Sequence, residues 1–278
     1  MNREIRLIAL DLDGTTLTSE KVIAERTKAA IRAAVDKGVE VVLSSGRSRN
    51  GVMPFIRELP GMHYMIASNG GSAIELASGR LIYGAFIKPQ RAAAILDRLM
   101  TIGVLGDIYY DGGAVCDEEN YRKIVLEKNS FPQWFIEYYI SNRRPVKDLA
   151  GLVRSGKLKD IEKVTVSFED MELRARAYEL MGDETGLSIV SGSPFNMEIS
   201  QQEATKGKAL TALAKALGID MEQVMACGDS NNDASMIEAA GIGVAMKNAD
   251  EKVLAAADYV SASNDEYGVA LAIERFVL

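Results

Sequence analysis

The chain has 278 residues, 47% of them hydrophobic, enough for one large domain or two moderate ones with a buried core. A net charge of -7 argues against a binder of nucleic-acid backbone, whose affinity comes from clustered Lys and Arg. Two cysteines, Cys116 and Cys227, are too few for a disulfide framework or a Cys-rich zinc site, and the single histidine, His63, disfavours phosphohistidine, Ser-His-Asp and zinc mechanisms.

In chain order, residues 5–10 form an apolar run that ends in Asp11-Leu12-Asp13-Gly14-Thr15. Residues 24–37 carry apolar positions at helical spacing and stop at Gly38. A strand is predicted over 39–43, ending in Ser44-Ser45-Gly46-Arg47, then a helix over 48–59, then a strand over 64–67 leading into Ser68-Asn69-Gly70-Gly71. From about residue 85 to 200 the texture changes. Most aromatics lie here, including Trp134, Phe135, Tyr138 and Tyr139, with strand-like runs at 163–168, 187–190 and 196–199 and helical patterns at 89–100 and 170–181. The earlier rhythm returns with a helix over 206–217, a strand over 224–227 ending in Gly228-Asp229-Ser230-Asn231-Asn232-Asp233, a helix over 233–239 and a strand over 242–245.

Strands alternating with helices predict right-handed βαβ units and a parallel sheet. The expected architecture is α/β, with a Rossmann-like parallel-sheet core built from residues 1–84 and 201–278 and an inserted α+β cap domain over 85–200, placed as a lid. Ligands of open α/β sheets bind outside the carboxyl ends of the strands, so the three polar endings are expected to meet at one site. The N-terminal apolar run is cut by Asp11 and Asp13, unlike a signal peptide, and no apolar stretch reaches the ~20 residues of a membrane span. A soluble, cytoplasmic chain is expected.

Asp11 and Asp13, two residues apart at a strand end, point roughly the same way and suit a shared metal or a nucleophile and acid pair. Turn and helix-capping roles account for them equally well in isolation. The Asp229–Asp233 cluster also fits a helix cap. An EF-hand reading fails, because Ala234 stands where Gly is required and Ala240 where Glu is required. The remaining oxygen donors suit Mg²⁺. Ser45-Gly46-Arg47 offers a hydroxyl and amides at a helix start, where an anion is favoured, or is another cap. Lys206 opens a helix against the dipole, which points to a task at the site. His63 reads as structural.

Together, DxDGT at 11–15, Ser45-Gly46-Arg47, Lys206-Gly207 and GDxxND at 228–233, in that order, resemble the four motifs of the haloacid dehalogenase superfamily of aspartate-nucleophile phosphatases. The insertion resembles the type IIB cap, and Ser68-Asn69-Gly70-Gly71 with the Lys-Gly motif looks like the Cof-type phosphatases. The likeness spans essentially the whole chain. Thr16, where leucine is common, and Glu203, where many members have glycine, depart from the pattern.

The resemblance implies that Asp11 attacks phosphorus and that Asp13 protonates the leaving alcohol and then activates water. This division asks for an ionised Asp11, kept so by a metal and Lys206, and for an Asp13 pKa raised by the neighbouring carboxylate. Mg²⁺ would be held by the Asp11 carboxylate, the Asp13 carbonyl and Asp229, with Asp233 supporting its waters. Ser45, Gly46, Lys206 and Asn232 would grip phosphate oxygens, and Arg47 and Asn69 would reach the leaving group or the cap. The expected function is Mg²⁺-dependent hydrolysis of small phosphomonoesters, sugar phosphates first, ahead of pyridoxal phosphate, flavin mononucleotide and nucleotide monophosphates. The partner is thus a small phosphorylated metabolite, with no nucleic acid, membrane or protein partner evident. A phosphomannomutase-like phosphomutase and a catalytically silent phosphometabolite-binding regulator are the alternatives.

Overall fold

The computed structural model describes residues 4–59, 61–127, 129–191 and 195–278. In chain order these form β1 (Leu7–Leu10), α1 (Glu25–Asp36), β2 (Glu40–Ser44), α2 (Arg49–Arg57), β3 (Tyr64–Ala67), β4 (Ser72–Glu75) and β5 (Leu81–Gly84). Next come α3 (Pro89–Met100), β6 (Gly106–Tyr110), β7 (Gly113–Asp117), α4 (Glu118–Val125), α5 (Gln133–Asn142), β8 (Arg143–Val146), α6 (Leu149–Arg154), β9 (Ile161–Ser167), α7 (Met171–Met181), β10 (Leu187–Val190) and β11 (Asn196–Gln201). The last part holds α8 (Lys206–Leu217), β12 (Val224–Gly228), α9 (Ala234–Ala239), β13 (Ile242–Ala245), α10 (Glu251–Ala256), β14 (Tyr259–Val260) and α11 (Gly268–Phe276).

The described residues divide into two compact units. One comprises residues 1–47, 52–84 and 204–278, and the other residues 48–51 and 85–203.

The first unit carries a sheet ordered β14-β13-β12-β1-β2-β3-β4-β5. From β14 to β3 every neighbouring pair is parallel. Side chains along a strand alternate between faces, so each strand feeds two cores. Ile8, Leu10, Val41 and Leu43 pack with Ile31 of α1 and Ile273 of α11 on one face. Leu7, Ala9, Val42 and Ala226 pack with Leu210 and Leu213 of α8 and Ile237 of α9 on the other. Covering both faces is what makes β1 and β12 continuous apolar runs, each fully buried large side chain contributing roughly 1.5–3 kcal/mol. The sheet is an α/β parallel core, with one addition that the alternation did not predict. β4 and β5 extend it antiparallel, because the short link through Ser68–Gly70 turns the chain straight back, whereas a parallel crossover needs a dozen or more residues.

The second unit has a sheet ordered β10-β11-β9-β6-β7-β8, antiparallel throughout except β7 with β8. Ile108, Val164, Val166 and Ile199 meet Ile95 and Leu99 of α3, Val153 of α6 and Met181 of α7. Cys116, Ile124, Phe131, Phe135 and Tyr139 form a second cluster, so several of the aromatics are core, while Trp134 is exposed. Among the described residues no helix is long and apolar enough to cross a membrane.

Candidate active site

Because β1 lies between β2 and β12, the chain departs from it in both directions, and the carboxyl ends of these strands flank the point where strand order reverses. Such a switch point opens a crevice. Asp11 directly follows β1, Ser45 directly follows β2, and Asp229 directly follows β12.

Asp11, Asp229 and Asp233 are all buried, and each offers a ligand oxygen within 4.8 Å of the others'. Lys206, the first residue of α8 and fully buried, donates to Asp11 Oδ1 at 2.5 Å and to Asp233 Oδ1 at 2.5 Å. Its unfavourable place at a helix start is thereby explained. Thr205 caps α8 by accepting from the Lys208 amide at 3.2 Å, which turns the first helical residue into the sheet end. Asp233 Oδ2 accepts from the Asp229 and Ser230 amides at 3.0 and 2.9 Å, so this carboxylate holds the loop as well as the lysine. Asp229 accepts from the Thr15 hydroxyl at 2.6 Å and from the Ser230 hydroxyl at 3.1 Å. Gly14, at φ +82°, occupies a turn where a Cβ would come 2.4 Å from Asp229 Oδ2, so glycine is required for both reasons.

Three carboxylates face one ammonium, which leaves the cluster short of positive charge. Burial, then repulsion from Asp233, raise the Asp11 carboxyl well above its ordinary range despite Lys206. Burial also raises Asp229 against its hydrogen bond from Thr15. The Lys206 ammonium is raised: burial acts against its charge, but Asp11 and Asp233 outweigh it.

Asp13 lies apart from this cluster. Arg47 Nε donates to Asp13 Oδ2 at 2.7 Å and Nη2 to Oδ1 at 2.8 Å, a two-pronged pair, and Lys21 Nζ reaches Oδ1 at 3.1 Å. Burial pushes the Asp13 carboxyl up, but the hydrogen bonds and charge of Arg47, then of Lys21, bring it below its ordinary value. The expectation of a raised Asp13 pKa is therefore corrected. Its nearest charged partners are cations, and the raised carboxyls are those of Asp11 and Asp229.

Ser45 is buried; its hydroxyl accepts from the Arg47 amide at 3.2 Å and its carbonyl from the Asn69 amide at 3.0 Å. Gly46 sits so near Asn69 that a Cβ would lie 2.6 Å from Asn69 Oδ1. That oxygen accepts from Asn232 Nδ2 at 2.8 Å, joining the ends of β3 and β12. Asn69 holds a left-handed φ of +59°, and asparagine tolerates this better than most residues. His63 is exposed and pairs with Glu40 at 3.0 Å. Cys116 and Cys227 are buried free thiols.

Sequence reasoning passed over Thr15, although it belongs to the same motif, and Lys21, which lies in an ordinary polar turn. Thr16 also gains a place, its buried hydroxyl donating to the Asp11 carbonyl at 2.5 Å. A leucine could not make this bond, so the departure from the family pattern tightens the turn behind Asp11.

Residues 8–273 match the family described as haloacid dehalogenase-like hydrolase. The phosphatase YwpJ of Bacillus subtilis is 35% identical over 96% of this chain and 98% of its own. The 5-amino-6-(5-phospho-D-ribitylamino)uracil phosphatase YwtE of the same organism is 30% identical over 98% of each. A haloacid dehalogenase-like hydrolase structure from Bacteroides thetaiotaomicron superimposes with a TM-score of 0.83 at 28% identity, covering 98% of this chain and 99% of that one. A sheet that gathers Asp11, Lys206 and Asp229 at its switch point, with likeness over nearly the full length, shows that this chain belongs to the haloacid dehalogenase-like hydrolases, as a phosphatase of the Cof type.

Proposed function

We propose that the protein is a Mg²⁺-dependent phosphatase for small phosphomonoesters, sugar phosphates first, working through a phosphoryl group carried on Asp11. The observation that carries this reading is the buried set of Asp11, Asp229 and Asp233 around Lys206. Three carboxylates and one ammonium fit a divalent cation in charge, and oxygen-only donors fit a hard one. The Asp11 and Asp229 carboxylates and the Asp13 carbonyl would hold it, with Asp233 behind them. When bound, Mg²⁺ neutralises charge on the transferring phosphoryl group.

The chain's own residues supply the rest. Lys206 draws the Asp11 carboxylate toward its ionised form and holds Oδ1, leaving the other oxygen for phosphorus. Asp13, positioned by Arg47, takes up a proton from solvent before turnover, gives it to the leaving oxygen as its bond to phosphorus breaks, then takes one from the water that attacks the aspartyl phosphate. Ser45, Gly46, Asn232 and Lys206 meet the remaining phosphate oxygens, and Arg47 and Asn69 the leaving-group side. Positioning and neutralisation are most of what phosphoryl transfer needs. On this reading residues 1–84 and 201–278 carry the chemistry and residues 85–200 the choice of leaving group. The name of the YwtE relative places its phosphate on a ribityl chain, which supports a polyol or sugar phosphate here. Cytoplasmic metabolites are the fitting source.

The test is phosphate release from a panel of phosphomonoesters, with Mg²⁺ or with EDTA, for the native protein and Asp11→Asn. Metal-dependent release lost in the variant is expected. No release from folded, Mg²⁺-supplied protein would overturn the reading.

A further inference from the structure

Following β1, the chain makes a tight hairpin that no motif covers. Leu17 bridges Ile23 antiparallel, the Thr18 amide donates to the Val22 carbonyl at 2.9 Å, and the Lys21 amide donates to the Thr18 carbonyl at 2.9 Å. Lys21 sits at its turn with φ +62°, a left-handed conformation that L side chains adopt at a cost and that glycine takes freely. A turn of this kind offers no reason of its own for lysine. The reason lies at the other end of the side chain, where Nζ stands 3.1 Å from Asp13 Oδ1.

The hairpin is also held in place from the far end of the sequence. Asp265 accepts from the Ser19 amide at 2.7 Å and from the Ser19 hydroxyl at 2.6 Å. Asn264 donates to the Leu17 carbonyl at 2.9 Å, and Asn248 donates to the Gly14 carbonyl at 2.9 Å while accepting from the Asn264 amide at 3.1 Å. Three polar residues thus clasp residues 14–19, and the turn bearing Lys21 follows directly. An exposed ion pair adds little to stability. Lys21 is 61% exposed in its side chain, so neither the strained turn nor the clasp is accounted for by the strength of the pair.

We propose that Lys21 is a positioning residue: with Arg47 it fixes the Asp13 carboxylate on the side of the leaving group, and the Asn248, Asn264 and Asp265 clasp holds the hairpin that presents it. This assignment rests on the phosphatase reading, in which Asp13 delivers the proton. A proton donor matters for an alkyl leaving group, a poor one, and much less for p-nitrophenolate, which departs without help.

The experiment measures kcat and KM for Lys21→Met, Lys21→Arg and Lys21→Gly on the best alkyl phosphate of the panel and on p-nitrophenyl phosphate, with melting temperatures. The ratio of kcat on the alkyl ester to kcat on the aryl ester is expected to fall roughly tenfold in Lys21→Met and to recover in Lys21→Arg. Lys21→Gly should melt no lower than the native protein, since glycine suits the turn, yet show the same fall. An unchanged ratio, an effect confined to KM, or a loss shared equally by both esters would overturn the assignment. If the native protein releases no phosphate, or Asp11→Asn still does, the phosphatase reading fails instead.

Discussion

Each unit buries an aspartate at the heart of a charged cluster, and the two are balanced in opposite ways. In the second unit Asp107 accepts from Asn120 at 2.9 Å, Tyr139 at 2.9 Å and Arg143 at 3.3 Å. Arg143 lies over the rings of Tyr109, Tyr138 and Tyr139 at 5.0, 5.3 and 4.7 Å. One carboxylate meets one guanidinium and two neutral donors, so the charges balance, although Arg143 Nη1 is buried without a hydrogen-bond partner among the described residues. In the first unit Asp11, Asp229 and Asp233 share one ammonium, and they do not. Burial raises the carboxyl in both places, but Asp11 is driven further because its neighbours include carboxylates. A balanced buried charge fits scaffolding, while an unbalanced one fits a site prepared for a further cation.

The sharpest way to break this contrast is Asp11→Asn. Phosphate release should drop to background, while the melting temperature measured without metal should stay level or rise, since one of three crowded carboxylates has been neutralised. A marked fall in melting temperature would place Asp11 with the scaffolding. Next in size is Arg143→Met, which leaves Asp107 buried without a cation. Urea unfolding should show a loss of about 3 kcal/mol. If stability is unchanged, the charge balance between Asp107 and Arg143 does not hold the second unit together.

Mg²⁺ should sharpen the contrast from the other side. Added at a hundredfold excess over its Kd, it should stabilise the native protein by about 2.7 kcal/mol, seen as a raised melting temperature, and Asp229→Ala should remove the shift. The smallest expected effect is that of Arg47→Gln. Arg47 and Lys21 hold the Asp13 carboxyl below its ordinary value against burial. Stability from this pairing is therefore present above the unfolded carboxyl pKa and is lost as pH falls through the lowered folded value. Without Arg47 that value rises, so whichever limb of kcat against pH Asp13 sets, the alkaline one as proton donor or the acid one as base, should move to higher pH. A limb that stays put would show that Asp13 does not set it.

The parallel core was legible because strands buried on both faces must be apolar throughout, and because glycine and oxygen-bearing side chains follow 5–10, 39–43 and 224–227. That Asp11, Lys206 and Asp229 meet could be read from the order of the motifs, since strand ends in such a sheet converge. The antiparallel β4 and β5 have no counterpart in the strand–helix alternation, since the short link after Ala67 allows only an antiparallel return. Lys21 left no signal. Its importance depends on a backbone conformation and on residues over two hundred positions away, neither of which has a local pattern. The direction of the Asp13 shift was misjudged for a related reason: Asp11 is its neighbour in sequence, but Arg47 is the neighbour that touches it.

The ion pair between Lys206 and Asp11 spans 195 residues of chain. On a ribosome adding 5–20 residues per second, Asp11 is made roughly 10–40 s before its lysine. During that interval β1 and β2 lack β12 and the helix α8 that covers one of their faces, so a newly made first third presents apolar strand with an open edge. The second unit arises from a continuous stretch apart from residues 48–51, so its wait is shorter and ends when β11 is made. Synthesis is therefore expected to favour an order of assembly in which the intervening unit folds first and the sheet of the first unit closes last. A chaperone that shields strand edges should matter most for the N-terminal segment, and pauses in translation before residue 206 should lower the yield of native protein more than pauses after it.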